Sequence, residues 1–254
     1  MTYADDWGRW PCLGFDLETN SPNPLDAWPV TASLVRCKPG EEPVAYEWLI
    51  RPDGWVIPDE AAAIHGITTE HALEHGQPID EVLAEVTEKL AAWLERRFPV
   101  AAMNASYDFT VLEATTIRRR TAGSLVWSVP GQLGGRRMVA PVVDPFVLDR
   151  HADKYRKGSR KLVDLAALYG VPLDNAHESS SDALAAVRLW PKIIAAHPDK
   201  FRGMTLKALH LAQIQWKREQ IEGLEAYHRQ QGKLDGDYDR GWPYLTTLPA
   251  EVRS

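Results

Sequence analysis

The apolar run at residues 12–17, Cys-Leu-Gly-Phe-Asp-Leu, has strand length and no alternation until it gives way to Glu18-Thr19-Asn20. Such a run predicts a strand buried on both faces. Residues 30–36 and 43–50 read as a second and third strand, with Pro39-Gly40-Glu41-Glu42 as the hairpin turn between them. Ser21-Pro22-Asn23-Pro24 and Trp28-Pro29 mark the loop after the first strand. Arg51-Pro52-Asp53-Gly54 ends the antiparallel pattern, and residues 57–68 read as a short helical turn and a loop. From residue 80 to 98 the period changes to that of a helix, with Leu83, Val86, Leu90, Trp93, Leu94 and Phe98 on one face and Pro78 and Asp80 at its start. A short apolar strand at 100–103 leads into Asn104-Ala105-Ser106-Tyr107-Asp108 and a helix over 108–119. Pro130, Gly131, Gly134 and Gly135 make 123–137 a loop. A last strand at 139–143 ends at Asp144-Pro145 and is followed by a basic, polar segment, 150–161. Helices are predicted over 161–169, closed by Gly170, and over 180–196. Residues 199–231 read as one long helix, or two broken near Gly203, stopped by Gly232. The remaining segment reads as a surface tail with one aromatic anchor in Trp242-Pro243. Antiparallel strands followed by strand–helix alternation predict an α/β fold around one mixed sheet. Trp93, Trp190, Trp216 and Met103 are expected to be packing residues.

At 254 residues the chain suits one large domain with an appendage, here residues 1–197 and a C-terminal helical extension and tail at 198–254. Its 44% hydrophobic and 25% charged content is that of a soluble globular protein with a full core. No apolar run reaches membrane-spanning length, and the polar, acidic first ten residues do not resemble a secretory signal, so a cytoplasmic protein is expected. Cys12 and Cys37 fall in strand contexts and are expected to be buried thiols. A net charge of −6 does not advertise nucleic-acid binding, but an acidic protein can still bind it through metals and a local basic surface. Segment 150–161, with Arg150, Lys154, Arg156, Lys157, Arg160 and Lys161, is the candidate for that surface. The alternative is a solvated loop. Arg118-Arg119-Arg120 and Arg136-Arg137 could add to that surface, the alternative for each being an exposed helix end or loop.

The acidic positions carry the candidate chemistry. Asp16 and Glu18 are two apart and point to one face of an extended chain. Two like charges at the end of a buried strand repel each other and lose hydration, which a divalent cation offsets. Taken alone, the pair reads equally as a strand running out into a solvated acidic turn. Asp108 at a strand-to-helix junction could simply cap its helix. Asp182 could be a favourable first-turn charge. His177, five residues before Asp182, sits in the loop entering the same helix and with a reference pKa of about 6.5 can take a proton near neutrality. Together, four carboxylates at strand ends and helix openings can hold two divalent ions about 4 Å apart, the arrangement that clamps both oxygens of a phosphoryl displacement.

In series, Asp16-Leu17-Glu18-Thr19, Ile64-His65-Gly66-Ile67-Thr68, Asn104-Ala105-Ser106-Tyr107-Asp108 and His177-x-x-x-x-Asp182 resemble the DnaQ-like 3′–5′ exonucleases of the DEDDh group, over about residues 10–195. The resemblance implies a ribonuclease H-like fold, a mixed five-stranded sheet flanked by helices. It implies that Asp16, Glu18, Asp108 and Asp182 bind two Mg²⁺ or Mn²⁺ ions, and that His177 is the general base. It implies water attack at a single-stranded or frayed 3′ end of DNA or RNA, releasing a nucleoside 5′-monophosphate. Thr19 would lie near the terminal 3′-hydroxyl, and His65, Asn104 and Tyr107 would line the nucleotide pocket. Tyr107 stands where the family often has Phe, and Asn20 departs from the commoner residue after Thr19, which bears on the shape of the 3′-end pocket. An oligoribonuclease-like enzyme trimming RNA ends shares every one of these motifs. A non-catalytic binding module of the same fold predicts loss of at least one of the four acids or the histidine, and all five are present. A phosphatase with an Asp nucleophile leaves the His-x-x-x-x-Asp element unexplained. The C-terminal helix lies outside the resemblance. It is expected to pack on the catalytic domain, the alternatives being dimerisation or docking to a protein partner.

Overall fold

The computed structural model describes residues 10–119, 139–173, 178–233 and 238–245. The 123–137 loop, His177, Arg120, Arg136, Arg137 and most of the tail lie outside the described residues. Strand β1 (Cys12–Thr19) pairs antiparallel with β2 (Pro29–Cys37), which pairs antiparallel with β3 (Val44–Arg51). Two short helices follow, α1 (Asp59–His65) and α2 (Thr69–His75), then β4 (Gln77–Pro78) and the long α3 (Ile79–Glu95). After β5 (Val100–Ala101) come α4 (Ala105–Arg119), β6 (Val142–Val143), α5 (Pro145–Ala152) and α6 (Leu162–Tyr169). The described chain then runs through α7 (Ser179–Ala196), α8 (Pro198–Phe201) and α9 (Leu206–Gln230). The sheet order is β4-β3-β2-β1-β5-β6, with β5 parallel to β1 and β6 parallel to β5.

The period of two in β1 explains the layering. Leu13, Phe15 and Leu17 enter one core with α3 and α4, where Phe15 meets Phe109 at 5.2 Å between ring centroids. Cys12 enters a second core with α5, α6 and α7. Val100 and Val142 join the first core, Ala101 and Val143 the second. Both faces of the central strands are therefore covered, as the unbroken apolar run of β1 requires. Trp93 and Trp190 are buried, and Trp216 and Met103 are partly buried against the cores, as expected from the sequence. Cys12 and Cys37 are free thiols opposite each other across β1 and β2.

The five predicted strands are present, and β4 makes a sixth. It pairs parallel with β3 over only two residues, and Pro78, which lacks an N–H, is tolerated there because β4 is an edge. Two helices were not anticipated. Helix α2 is announced by Thr68, whose side chain accepts from the His71 N–H at 3.2 Å. Helix α5 is announced by Asp144-Pro145, a cap followed by proline in the first turn. The predicted C-terminal helix is two helices, broken at Gly203, whose φ of 73° a side chain would disfavour. The 150–161 segment is neither a free basic face nor a solvated loop throughout. Asp149 is fully buried and draws Arg160 Nε to 2.8 Å, Arg156 Nη2 to 3.1 Å and the Tyr169 hydroxyl to 2.8 Å, leaving Lys154, Lys157 and Lys161 exposed. Among the described residues no helix is long and apolar enough to cross a membrane.

Helix α7 lies directly on β1. A Cβ at Gly14 would stand 2.3 Å from the Ala183 carbonyl oxygen, a backbone atom that cannot rotate away. Gly14→Ala is expected to push α7 off the sheet and to destabilise the protein by about 1–3 kcal/mol or more, measured by urea unfolding. An unchanged midpoint would show that the helix has room to move.

Candidate active site

The far end of β1 is where the layers converge. Asp16 and Glu18 lie on the same side of β1 as Gly14, the side covered by α7. The first turn of α7 carries Asp182 and is fixed to β2 by Ser179, whose hydroxyl meets Ser33 Oγ at 2.5 Å and Thr31 Oγ1 at 3.2 Å. As a result, Asp16, Glu18 and Asp182 each offer a carboxylate oxygen, and these oxygens lie within 4.8 Å of one another. Asp108 arrives from the other layer. It is in the first turn of α4, and its Oδ1 accepts from the Leu17 N–H at 3.1 Å, in the middle of the Asp16–Glu18 pair. It is buried and stands outside the three-carboxylate group.

Electrostatics mark this group as unusual. Burial, followed by Asp108, Asp182 and Glu18 in that order, pushes Asp16 well above the ordinary carboxylate range. Burial and then Asp182 push Glu18 up to about 7. Burial also raises Asp108, with Asp144 and Glu18 adding to it against the hydrogen bond from Leu17. A cluster of carboxylates whose ionised forms oppose each other is a natural seat for positive charge. The donor set is all carboxylate oxygen, which suits a hard divalent cation.

Of the other sequence-predicted residues, Thr19 and Tyr107 lie beside these acids. Thr19 Oγ1 donates to the Ser21 carbonyl at 3.1 Å and shares a short hydrogen bond with the Tyr107 hydroxyl, which also meets Ser21 O. A phenylalanine at this position would have no such hydroxyl, so Tyr107 ties α4 to the end of β1. Burial and the neighbouring acids keep its phenol neutral, pushed up to about 12. Asn20 accounts for its own departure from the family pattern. Its side chain accepts from the Trp28 N–H at 2.8 Å and donates to the Val56 carbonyl at 3.0 Å, joining two loops at the strand end. Asn104 adopts a left-handed φ of 59°, which Asn tolerates, and turns the chain from β5 into α4. His65 ends α1, and its Nδ1 accepts from the Ile67 N–H at 3.2 Å.

One residue of this region was missed. The sequence pattern marks Asp144 only as the end of a strand. It is fully buried, caps α5, and accepts the N–H groups of Asn104 and Ala105 at 2.9 and 3.0 Å. The signal was the Asp-Pro pair, which reads as a helix start.

No curated protein sequence matches the chain. Among solved structures, E. coli exonuclease I in complex with a dT13 oligonucleotide is similar at 16% identity and a TM-score of 0.57, over 76% of this chain and 42% of that one. The zinc-bound form of the E. coli exonuclease I complex with single-stranded DNA is similar at 16% identity and 0.61, over 86% and 45%. Exonuclease I from Methylocaldum szegediense is similar at 19% identity and 0.56, over 76% and 42%. The chain thus spans less than half the length of these structures, and at such identities the likeness shows the fold, a ribonuclease H-like α/β sheet. The sequence model of the RNase_T family, described as exonuclease, matches residues 13–190, more than half of the chain. With the carboxylate cluster at the end of its first strand, the protein belongs to the RNase_T exonuclease family of DnaQ-like nucleases.

Proposed function

We propose that the protein is a metal-dependent 3′–5′ exonuclease that removes nucleoside 5′-monophosphates from single-stranded or frayed DNA ends. The observation that carries this reading is the convergence of Asp16, Glu18 and Asp182 within 4.8 Å in a chain of this family. The single-stranded DNA bound in the related solved structures supports DNA as the substrate class. Asp16, Glu18 and Asp182 would hold one Mg²⁺ or Mn²⁺ ion, and Asp108 would complete the ligation of a second beside it. Bound there, the ions supply charge neutralisation for the phosphodiester and acidify water.

The chain's own residues do the rest. His177 takes the proton of the attacking water. The phosphorus–oxygen bond to the upstream 3′ oxygen breaks, leaving a 5′-monophosphate and a new 3′-hydroxyl. Thr19, fixed by Tyr107, holds the terminal sugar at the end of β1, while His65 and Asn104 bound the nucleotide. A frayed end needs only stacking and local charge to be held.

Digestion of 5′-labelled single-stranded DNA and RNA of one sequence, with Mg²⁺, Mn²⁺ or EDTA, tests the proposal. A metal-dependent ladder shrinking from the 3′ end is expected, faster on DNA. Shortening from the 5′ end would overturn the polarity, and a faster RNA ladder would overturn the substrate. Asp16→Ala and Asp182→Ala are each expected to lower the rate at least about a thousandfold. His177→Ala is expected to lower kcat by about 10²–10⁴ with KM nearly unchanged, and a change confined to KM would remove it from the base role.

The raised carboxylates also predict a pH effect on the metal-free protein. Glu18 moves from 4.5 to about 7 on folding, so its contribution to stability is present below pH 4.5 and is lost as pH rises through 7. In EDTA at pH 8, Glu18→Gln is therefore expected to melt above the wild type, by about 2–4 °C for each kcal/mol of repulsion relieved. The difference should vanish near pH 4. A variant that melts below the wild type at pH 8 would show that Glu18 is held by favourable contacts.

A further inference from the structure

Asp144 has no part in the proposed chemistry, yet several separate parts of the structure are tied to it. Its Oδ1 accepts from the Asn104 N–H at 2.9 Å and from the Phe146 N–H at 2.9 Å. Its Oδ2 accepts from the Ala105 N–H at 3.0 Å and from the Trp242 indole N–H at 3.2 Å. One carboxylate thus serves the opening turns of both α4 and α5, where backbone N–H groups lack partners and negative charge is favoured. The Asp144 N–H donates to Gln213 Oε1 at 2.7 Å, and Gln213 Nε2 donates to the Val142 carbonyl at 3.1 Å. Burial raises Asp144, and the buried Lys217 is the largest influence in the other direction.

Gln213, Lys217 and Trp242 all lie beyond residue 190, where the family match ends. The same segment reaches α4 a second time. The Leu245 N–H donates to Thr110 Oγ1 at 2.9 Å, and Thr110 is fully buried. Asp108 lies between these two attachments, at residues 104–105 and at 110. Its own bond to the Leu17 N–H, 3.1 Å, is what sets it beside Asp16 and Glu18.

We propose that Gln213 and Trp242 are positioning residues for hydrolysis: the segment after the family match fixes Asp144, and Asp144 fixes the turn that aims Asp108. The proposal deepens the exonuclease reading and rests on it for its kinetic consequence. A displacement of about 1 Å at such a site can cost a hundredfold in rate.

The test uses the full chain with Trp242→Phe, which keeps the ring and removes the donor, and Gln213→Met. Trp48→Phe is the control, because the Trp48 indole also donates to a carboxylate, Glu85, at 2.9 Å, on the β3 side of the sheet. The first reading is the Leu17 amide in the metal-free protein, by NMR shift and hydrogen exchange, since its N–H is bonded to Asp108. The second is Mn²⁺ affinity by calorimetry, and the third is kcat and KM on labelled DNA. Trp242→Phe and Gln213→Met are expected to speed exchange at Leu17 about tenfold, weaken Mn²⁺ binding and lower kcat about tenfold, with KM within about twofold. Trp48→Phe should lower the melting temperature and change none of the three. If Trp242→Phe matches the control in all three, the positioning role is overturned and the contact is only structural. If Trp242→Phe does not fold, Gln213→Met decides by the same readings. If the wild type cleaves no nucleic acid, the exonuclease reading fails, and the Leu17 amide still decides whether the clasp holds Asp108.

Discussion

The structure depends on holding like charges close together at the end of a strand covered on both faces. Asp16, Glu18 and Asp182 offer oxygens within 4.8 Å of one another, and Asp108 stands behind them on the β1 backbone. In the folded chain without a cation these groups oppose each other and lose hydration, which is why Asp16, Glu18 and Asp108 are all raised. The Leu17 N–H offsets part of that cost at Asp108, and the remaining fold holds the group together.

It does so with short-range, rigid contacts at each approach. Helix α7 is seated on bare backbone at Gly14, one strand turn before Asp16, and is fastened to β2 through Ser179. Helix α4 is fastened at its opening by Asp144 and along its first two turns by Tyr107 and Thr110. The apolar cores on the two faces of β1 prevent the strand from yielding to the repulsion, because its side chains alternate between them. A central strand, two helix starts and a glycine contact therefore form one mechanical unit around four acids.

The sequence disclosed the parts of this unit that obey a period. The unbroken run of β1, the hairpin of β2 and β3, and the helical stripes of α3 and α7 follow from patterns longer than a turn. Asp16 and Glu18 were legible as a same-face pair, and Asp182 as a first-turn acid. Elements shorter than their own period escaped. β4 is two residues long, α2 is recognisable only from its cap, and α5 was hidden under a basic composition that its Asp-Pro start should have outweighed. Asp144 escaped because its partners, Asn104, Gln213 and Trp242, are distant in sequence and share no spacing rule. The arginines of 150–161 misled for the same reason: their partner, Asp149, is a buried acid that composition counts as solvent-facing.

On the proposed function, the acidic site also sets the order of events. A phosphodiester is an anion, and a cluster of carboxylates repels it until cations are bound. Two ligands that each favour the same charge state of a site must bind with positive coupling, and the coupling is reciprocal. The net charge of −6 extends this beyond the site, since the molecule as a whole does not attract nucleic acid. Two arginines that would have provided local attraction, Arg156 and Arg160, are spent on Asp149, so attraction in that segment falls to the exposed Lys154, Lys157 and Lys161 and the half-buried Arg150. On that proposal, affinity for the strand end would come from the metal-loaded site and from contacts with the terminal nucleotide. On the same proposal, such an enzyme would grip the end it is about to cut more firmly than the strand behind it.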